Sequence, residues 1–279
     1  MFQYAASRAL ALAHKTSLKL DISGFSSYKL HQGFELDRIF NCFTKVAEES
    51  DIRSILGWQS PKVIRRLVSR PSMSLLRNIE NVVEPHFQYW LGIKQVPCDC
   101  YLTGYWQSEK YFEDVAGQIR NDFTFKLPLE GRNVELVDRL KQVNAVSLHV
   151  RRGDYVSNIN TAITHGVCSL EYYHTAIKYV AERVEQPVFV IFSDDIAWVK
   201  YNLKTNFPCL HVNHNHELES YNDMRLMSLC QHHIIANSSF SWWGAWLNQN
   251  PDKIVVAPKR WFVKDTNTQD LYPLHWVRL

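Results

Sequence analysis

The sequence predicts an α/β protein built around a mostly parallel sheet. From residue 145 onward, short apolar runs rich in Val, Ile and Phe alternate with segments of helical period. That alternation is the mark of βαβ units. The length of 279 residues holds one large domain or two modest ones. Pro128-Leu129-Glu130-Gly131-Arg132 reads as a link between halves, giving lobes 1–130 and 131–279.

Taken in order, Phe2, Ala5, Ala6, Ala9 and Ala13 fall at helical spacing and predict a helix over 1–14. Ser17 to Ile22 alternates and predicts a strand. Residues 61–79 read as a helix that carries Lys62, Arg65, Arg66, Arg70 and Arg77 with no acid. It is either a solvated face or a contact for anionic headgroups or a phosphate-bearing acceptor. Cys100 to Trp106 predicts a strand leading into a helix near 108–119. Then follow strands at 145–150, 188–192, 210–212, 233–236 and 253–257. Between them lie helices over 169–184, from 196, over 221–231 and over 240–248, with Ser169 as a cap and Glu171 in the first turn of the earliest. Ligands of such sheets bind at the carboxyl ends of the strands.

Composition narrows the class. Lys+Arg 31 against Asp+Glu 28 gives +3, so nothing calls for a nucleic-acid partner. Charged residues at 21% and hydrophobics at 46% exclude global disorder. Aromatics reach 13%, which fits a large core or platforms for flat ligands. The six cysteines match no zinc or redox spacing and are expected to be reduced, structural thiols. No run approaches a membrane span, and the first residues predict no signal peptide.

Three constellations carry chemistry. His149-Val150-Arg151-Arg152-Gly153-Asp154-Tyr155 stands where a buried strand ends. Its two guanidiniums suit bidentate phosphate recognition, and Gly153 admits close backbone approach. The bland alternative is an ion-pair cluster at a turn, with Asp154 fixing an arginine rather than acting as a base. Asn237-Ser238-Ser239-Phe240-Ser241 lies between a strand and a helix. It offers N–H groups and hydroxyls to an anion, or plain N-capping. Asn237-Ser238-Ser239 also matches a glycosylation sequon, taken as chance. Ser193-Asp194-Asp195 at another strand end suits a metal, a ribose or a base edge, or simply a helix N-terminus. His211, His214 and His216 make a weak metal motif, and of His232 and His233 one is expected to face the crevice and one the core. Dinucleotide, P-loop and nucleophile-elbow glycine patterns are absent from the sequence.

His149 to Tyr155 resembles the signature of the α-1,2-fucosyltransferases, glycosyltransferase family eleven. Met1 to Ala5, Gly104 to Phe112, Phe192 to Asp195 and Asn237 to Trp246 resemble further family segments, in family order. The resemblance implies a GT-B-like fold, two Rossmann-like lobes facing across a cleft. It implies inverting transfer from GDP-L-fucose to the 2-hydroxyl of a galactose-terminated acceptor, with no metal and no other cofactor. It places Arg151 on the donor pyrophosphate, Ser238 to Ser241 in the donor loop, His233 near a guanine contact, and Asp194 weakly on the donor. Arg151, His149 and Asp154 are the catalytic candidates, with Arg152, Gly153 and Asn237 added on the donor side.

It further implies a bacterial-type enzyme of the cytoplasm, in peripheral contact with the inner membrane through 61–79. Family members usually open with a strand and a Gly-Gly-Leu-Gly-Asn-Gln turn before the Met-Phe-Gln-Tyr helix. The chain is therefore expected to lack roughly ten residues at its front. The competing functions are a GDP-fucose transferase of other linkage, an inactive truncated nucleotide-sugar-binding homologue, and a purely structural scaffold.

Overall fold

In the computed structural model of the chain, which describes residues 1–25 and 33–279, Phe2–Ala13 forms helix α1. Its buried side is Phe2, Tyr4, Ala5, Ala6 and Ala11, the stripe that the apolar spacing requires. The Tyr4 hydroxyl donates to the buried Asp122 at 2.8 Å, and Arg8 Nε reaches the same carboxylate at 3.2 Å. Helices α2 (Leu36–Ile39), α3 (Glu49–Leu56) and α4 (Lys62–Val68) follow. Strands β1 (Asn81–Val83) and β2 (Tyr101–Thr103) then pair in parallel, and α5 (Ala116–Asp122) comes next. These elements belong to one compact unit, Met1–Lys126 with Asn267–Pro273.

Three elements depart from the sequence reading. Ser17 to Ile22 is no regular strand; it makes one parallel bridge, Leu20 to Val46. The Asp21 side chain accepts from the Ser23 amide at 2.9 Å and turns the chain there. Residues 61–79 are not one helix. Pro71 has no N–H to donate and holds Arg70 extended, so α4 stops and a 3₁₀ turn, Pro71–Leu76, follows. The helix expected near 108–119 breaks into two 3₁₀ turns, and α5 forms only from Ala116.

The second unit is Leu127–Thr266 with Leu274–Leu279. It starts with α6 (Arg132–Leu140), then β3 (Asn144–Val150). Helices α7 (Gly153–Ser157), α8 (Ile159–His165) and α9 (Leu170–Ala181) lead to β4 (Pro187–Ser193). After it come α10 (Ile196–Asn202), β5 (Cys209–Val212), α11 (Tyr221–Leu229) and β6 (His232–Ile234). Helix α12 (Ser239–Leu247), β7 (Val255–Ala257) and β8 (Val277–Arg278) complete it.

The six strands run parallel in the order β5-β4-β3-β6-β7-β8. Counted within the unit, that is third, second, first, fourth, fifth, sixth. The order reverses beside β3, so the loops after β3 and β6 part and leave a crevice at the carboxyl edge. Alternation sorts the side chains between two helical layers. Val146, Leu148, Val150, Phe189 and Ile191 pack with α9 on one face. Ala145, Val190, Phe192 and Val212 pack with α6 and α11 on the other. That second face also carries Ser147 and His149, the two polar residues in the interior of β3.

Candidate active site

The loop after β3 is a lattice of charges. Arg151 Nη2 bonds Asp154 Oδ1 at 2.5 Å, and its Nη1 meets Asp194 Oδ2 at 2.9 Å. Asp194 Oδ1 also accepts the Arg152 backbone N–H at 2.8 Å. Gly153 makes this possible: a Cβ there would stand 2.6 Å from Asp194 Oδ2. The glycine thus admits a carboxylate of the β4 loop. Arg152 turns the other way. Its Nε meets Asp195 Oδ2 at 3.3 Å, and its guanidinium lies 3.7 Å from the Trp198 ring centroid. Asp195 caps α10 through the Trp198 amide at 3.1 Å. Arg152 is therefore a strut, and Arg151 is the guanidinium left at the crevice with a quarter of its side chain exposed. Two guanidiniums here face three carboxylates, so an incoming anion shares Arg151 with Asp154 and Asp194 or displaces one of them.

The loop before α12 lies beside this lattice. The Tyr155 hydroxyl, on α7, donates to the Asn237 carbonyl at 3.0 Å. The Phe240 ring sits 5.9 Å from the His149 ring. Ser238 is the N-cap residue, yet its hydroxyl makes no capping bond. The first intrahelical bond runs from Trp242 N to Ser238 O, so the amides of Ser239, Phe240 and Ser241 are free of the helix ladder. Ser241 is buried and donates back to Ser238 O at 3.2 Å. Asn237 is only 2% exposed. Its amide donates to the carbonyls of His165, Gly166 and Trp261, and its oxygen accepts from Cys168. Asn237 therefore ties loops together. It offers no side chain to a ligand and none to a glycan.

Of the histidines expected at the site, His233 lies elsewhere and His149 is there. His233 is fully buried: Asn248 donates to its Nε2 at 2.7 Å, which leaves Nδ1–H to donate to Ser147 at 2.8 Å. With both nitrogens used, it has none for a guanine, which corrects the donor contact assigned to it. His149 does face the site. Burial, and then the nearby Arg151 charge, push its pKa down to about 4, so it is neutral. Its Nδ1 is buried with no hydrogen-bond partner among the described residues.

The comparisons with known proteins fit this geometry. Residues 84–279 match the model of a family described as glycosyl transferase family 11. The α-1,2-colitosyltransferase of Escherichia coli is 38% identical over 286 residues, covering 100% of this chain and 94% of its own length. The chain belongs to glycosyl transferase family 11. A more distant relative, the galactoside α-(1,2)-fucosyltransferase 1 of Leontocebus fuscicollis, is 27% identical over 63% of this chain and 51% of its own. Among solved structures, NodZ α-1,6-fucosyltransferase soaked with GDP-fucose aligns with a TM-score of 0.50 at 16% identity, over 88% of this chain and 87% of NodZ. That likeness is one of fold, and the fold is the GT-B-like α/β class expected from the sequence.

The family 11 segment Gly104 to Phe112 is held in the first unit. Glu84 accepts the amides of Tyr105 at 2.7 Å and Trp106 at 3.0 Å, with Trp106 in the left-handed region at φ +55°. The sequence reading passed over one residue of the second unit, Asp223 on α11. Burial pushes its carboxyl up to about 7, against the bond that Asn215 donates at 2.7 Å. Asn215 also exchanges hydrogen bonds with Asn133, and His214 Nε2 meets Asn133 Oδ1 at 2.8 Å. His214 is thus spent within the fold. An Asp inside a helix gives no sequence signal; its setting comes from the Asn215 side chain and from the packing of α11 on α6 and α12.

Proposed function

We propose that this family 11 glycosyltransferase moves L-fucose from GDP-L-fucose to the 2-hydroxyl of a galactose-terminated glycan, with inversion and without a metal ion. The observation that carries the reading is Arg151. It stands at the carboxyl end of β3, at the switch point, beside the open amides of α12. A nucleotide diphosphate leaving group needs fixed cations and N–H donors as its charge develops. Arg151 would take the pyrophosphate in place of Asp154 or Asp194. Ser238, with its uncommitted hydroxyl, and the Ser239 to Ser241 amides would hold the second phosphate. Neutral His149 supplies a hydrogen-bonding nitrogen at the end of β3. Asp154 positions Arg151, and its second oxygen is the one we assign to the proton of the acceptor hydroxyl. The enzyme's workplace on this reading is the cytoplasmic side of the inner membrane.

The test is incubation with GDP-fucose and a panel of free β-galactosides, with and without EDTA, read by mass spectrometry and linkage analysis. Transfer to O2 that survives EDTA is expected. Products of another linkage, or strict metal dependence, would overturn the assignment. The 38% identity with an α-1,2-colitosyltransferase favours a second reading, in which the donor sugar lacks the 3-hydroxyl of fucose. A GDP-colitose arm in the same experiment separates the two.

A further inference from the structure

We propose that α4 and the turn after it form a bilayer-docking patch for anionic lipid. Helix α4 is amphipathic in an unusual sense. Its inner side is Val68, buried, and Arg65, which bonds Asp21 at 2.7 Å and the Tyr101 hydroxyl at 2.6 Å. Burial works against the Asp21 carboxylate, but the bonds from Ser23, Tyr101 and Arg65 outweigh it and hold its pKa well below the usual range. The outer side carries Val63, Arg66 and Leu67, at the i, i+3, i+4 spacing of one helical face, and the exposed Arg70 follows just past the helix end. Val63 is 81% exposed and Leu67 43%, and Arg66 and Arg70 are exposed without an ion pair among the described residues.

The following turn continues this surface. Leu75 is 98% exposed, Leu76 54% and Ile79 74%. Arg77 Nε donates to Val68 O at 3.1 Å, and Gln59 Nε2 donates to Leu76 O at 2.8 Å, so the turn is fastened against α4 and the segment before it. Five aliphatic side chains thus face outward beside Lys62, Arg66 and Arg70, with no acid between residues 61 and 79. A face that mixes exposed aliphatics with unpaired cations complements an anionic headgroup layer and the acyl boundary beneath it. A partner protein's core would complement the aliphatics but leave the cations desolvated.

This inference rests on the membrane part of the proposed function and gives it residues. It is read without turnover, and the transfer assay with free galactosides needs no vesicles, so either can fail alone. The experiment is co-sedimentation of the full chain with phosphatidylglycerol–phosphatidylethanolamine vesicles and with phosphatidylcholine vesicles. Binding to the anionic vesicles alone is expected, weakened by salt. Arg66→Gln and Arg70→Gln should each weaken it about fivefold, the effect of ~1 kcal/mol per surface cation. The Leu75→Ser, Leu76→Ser pair should weaken it tenfold or more, with an unchanged circular dichroism melting curve as the fold control. Absence of binding to anionic vesicles overturns the proposal, and so does equal binding by the arginine variants. A Leu75/Leu76 variant that loses self-association in light scattering but keeps vesicle binding assigns the patch to a second copy of the chain, which also overturns it.

Discussion

Arg151 has its charge taken up before any ligand arrives. Asp154 and Asp194 hold the guanidinium from two sides, so its position is set and its electrostatic pull is reduced. Arg151→Ala removes the cation and frees both carboxylates to repel a diphosphate. We expect turnover to fall by about 10²–10³ or more, the usual effect of removing one donor from a preorganised anion site. GDP release from GDP-fucose in the presence of a galactoside measures it, and wild-type turnover in the variant would dismiss the proposed chemistry. Asp223 gives a pH prediction. Its carboxyl stands at about 7 in the fold against an ordinary 3.8, so the folded chain holds a proton that the unfolded chain releases. The stability from that proton is complete below about pH 4 and fades as pH rises through 7. Asp223→Asn puts an uncharged amide beside Asn215 and abolishes this slope. The variant should melt higher than the parent at pH 8 and no higher at pH 4. Equal melting temperatures at both values would contradict the burial argument.

Helix α12 shows how an element carries more than its own stability. An N-cap Ser replaced by Ala ordinarily costs about 1 kcal/mol. Ser238 makes no capping bond, so Ser238→Ala should leave the melting temperature nearly unchanged and weaken GDP binding in calorimetry. A drop in melting temperature without loss of GDP affinity would assign it to capping. What the sequence revealed about these elements follows their physics. The strands Asn144–Val150 and Pro187–Ser193 and the helix Leu170–Ala181 are long, periodic and capped, so they could be read within a few residues of their observed ends. Helices α2, α3, α6, α7 and α8 and strands β1 and β8 were not read: most are under nine residues, and α6, although Leu136, Val137 and Leu140 share a face, follows the turn taken as a link. Arg151 and Ser238 stood out in the sequence as a strand-end arginine and a small residue at a helix start, types that also serve ion pairing and capping. The roles of Arg152, Asn237 and His233 did not stand out. Each depends on a partner distant in sequence, namely Trp198, Trp261 and Asn248 or Ser147.

On the scale of the whole molecule, the chain crosses between its two units three times, and the last two crossings enclose residues 267–273. Asp270 in that segment accepts the Tyr89 amide at 3.0 Å and pairs with Lys110 at 2.6 Å, all within the first unit. Its side chain is only 10% exposed, so Asp270→Ala should cost about 1–3 kcal/mol, seen as a lower midpoint in urea. An unchanged midpoint would show that the segment is a passive return. Just beyond that segment, β8 closes the edge of the large sheet, with the Leu279 amide bonded to Ala257 O at 3.0 Å. This path has a consequence for the order of events during synthesis. The chain is made from its amino end, yet the first unit receives Asp270, Leu271 and Tyr272 only after residues 127–266 have left the ribosome. The half translated first therefore finishes folding late, as a partner waiting for its last strand of contacts, while most of the other half is already able to form.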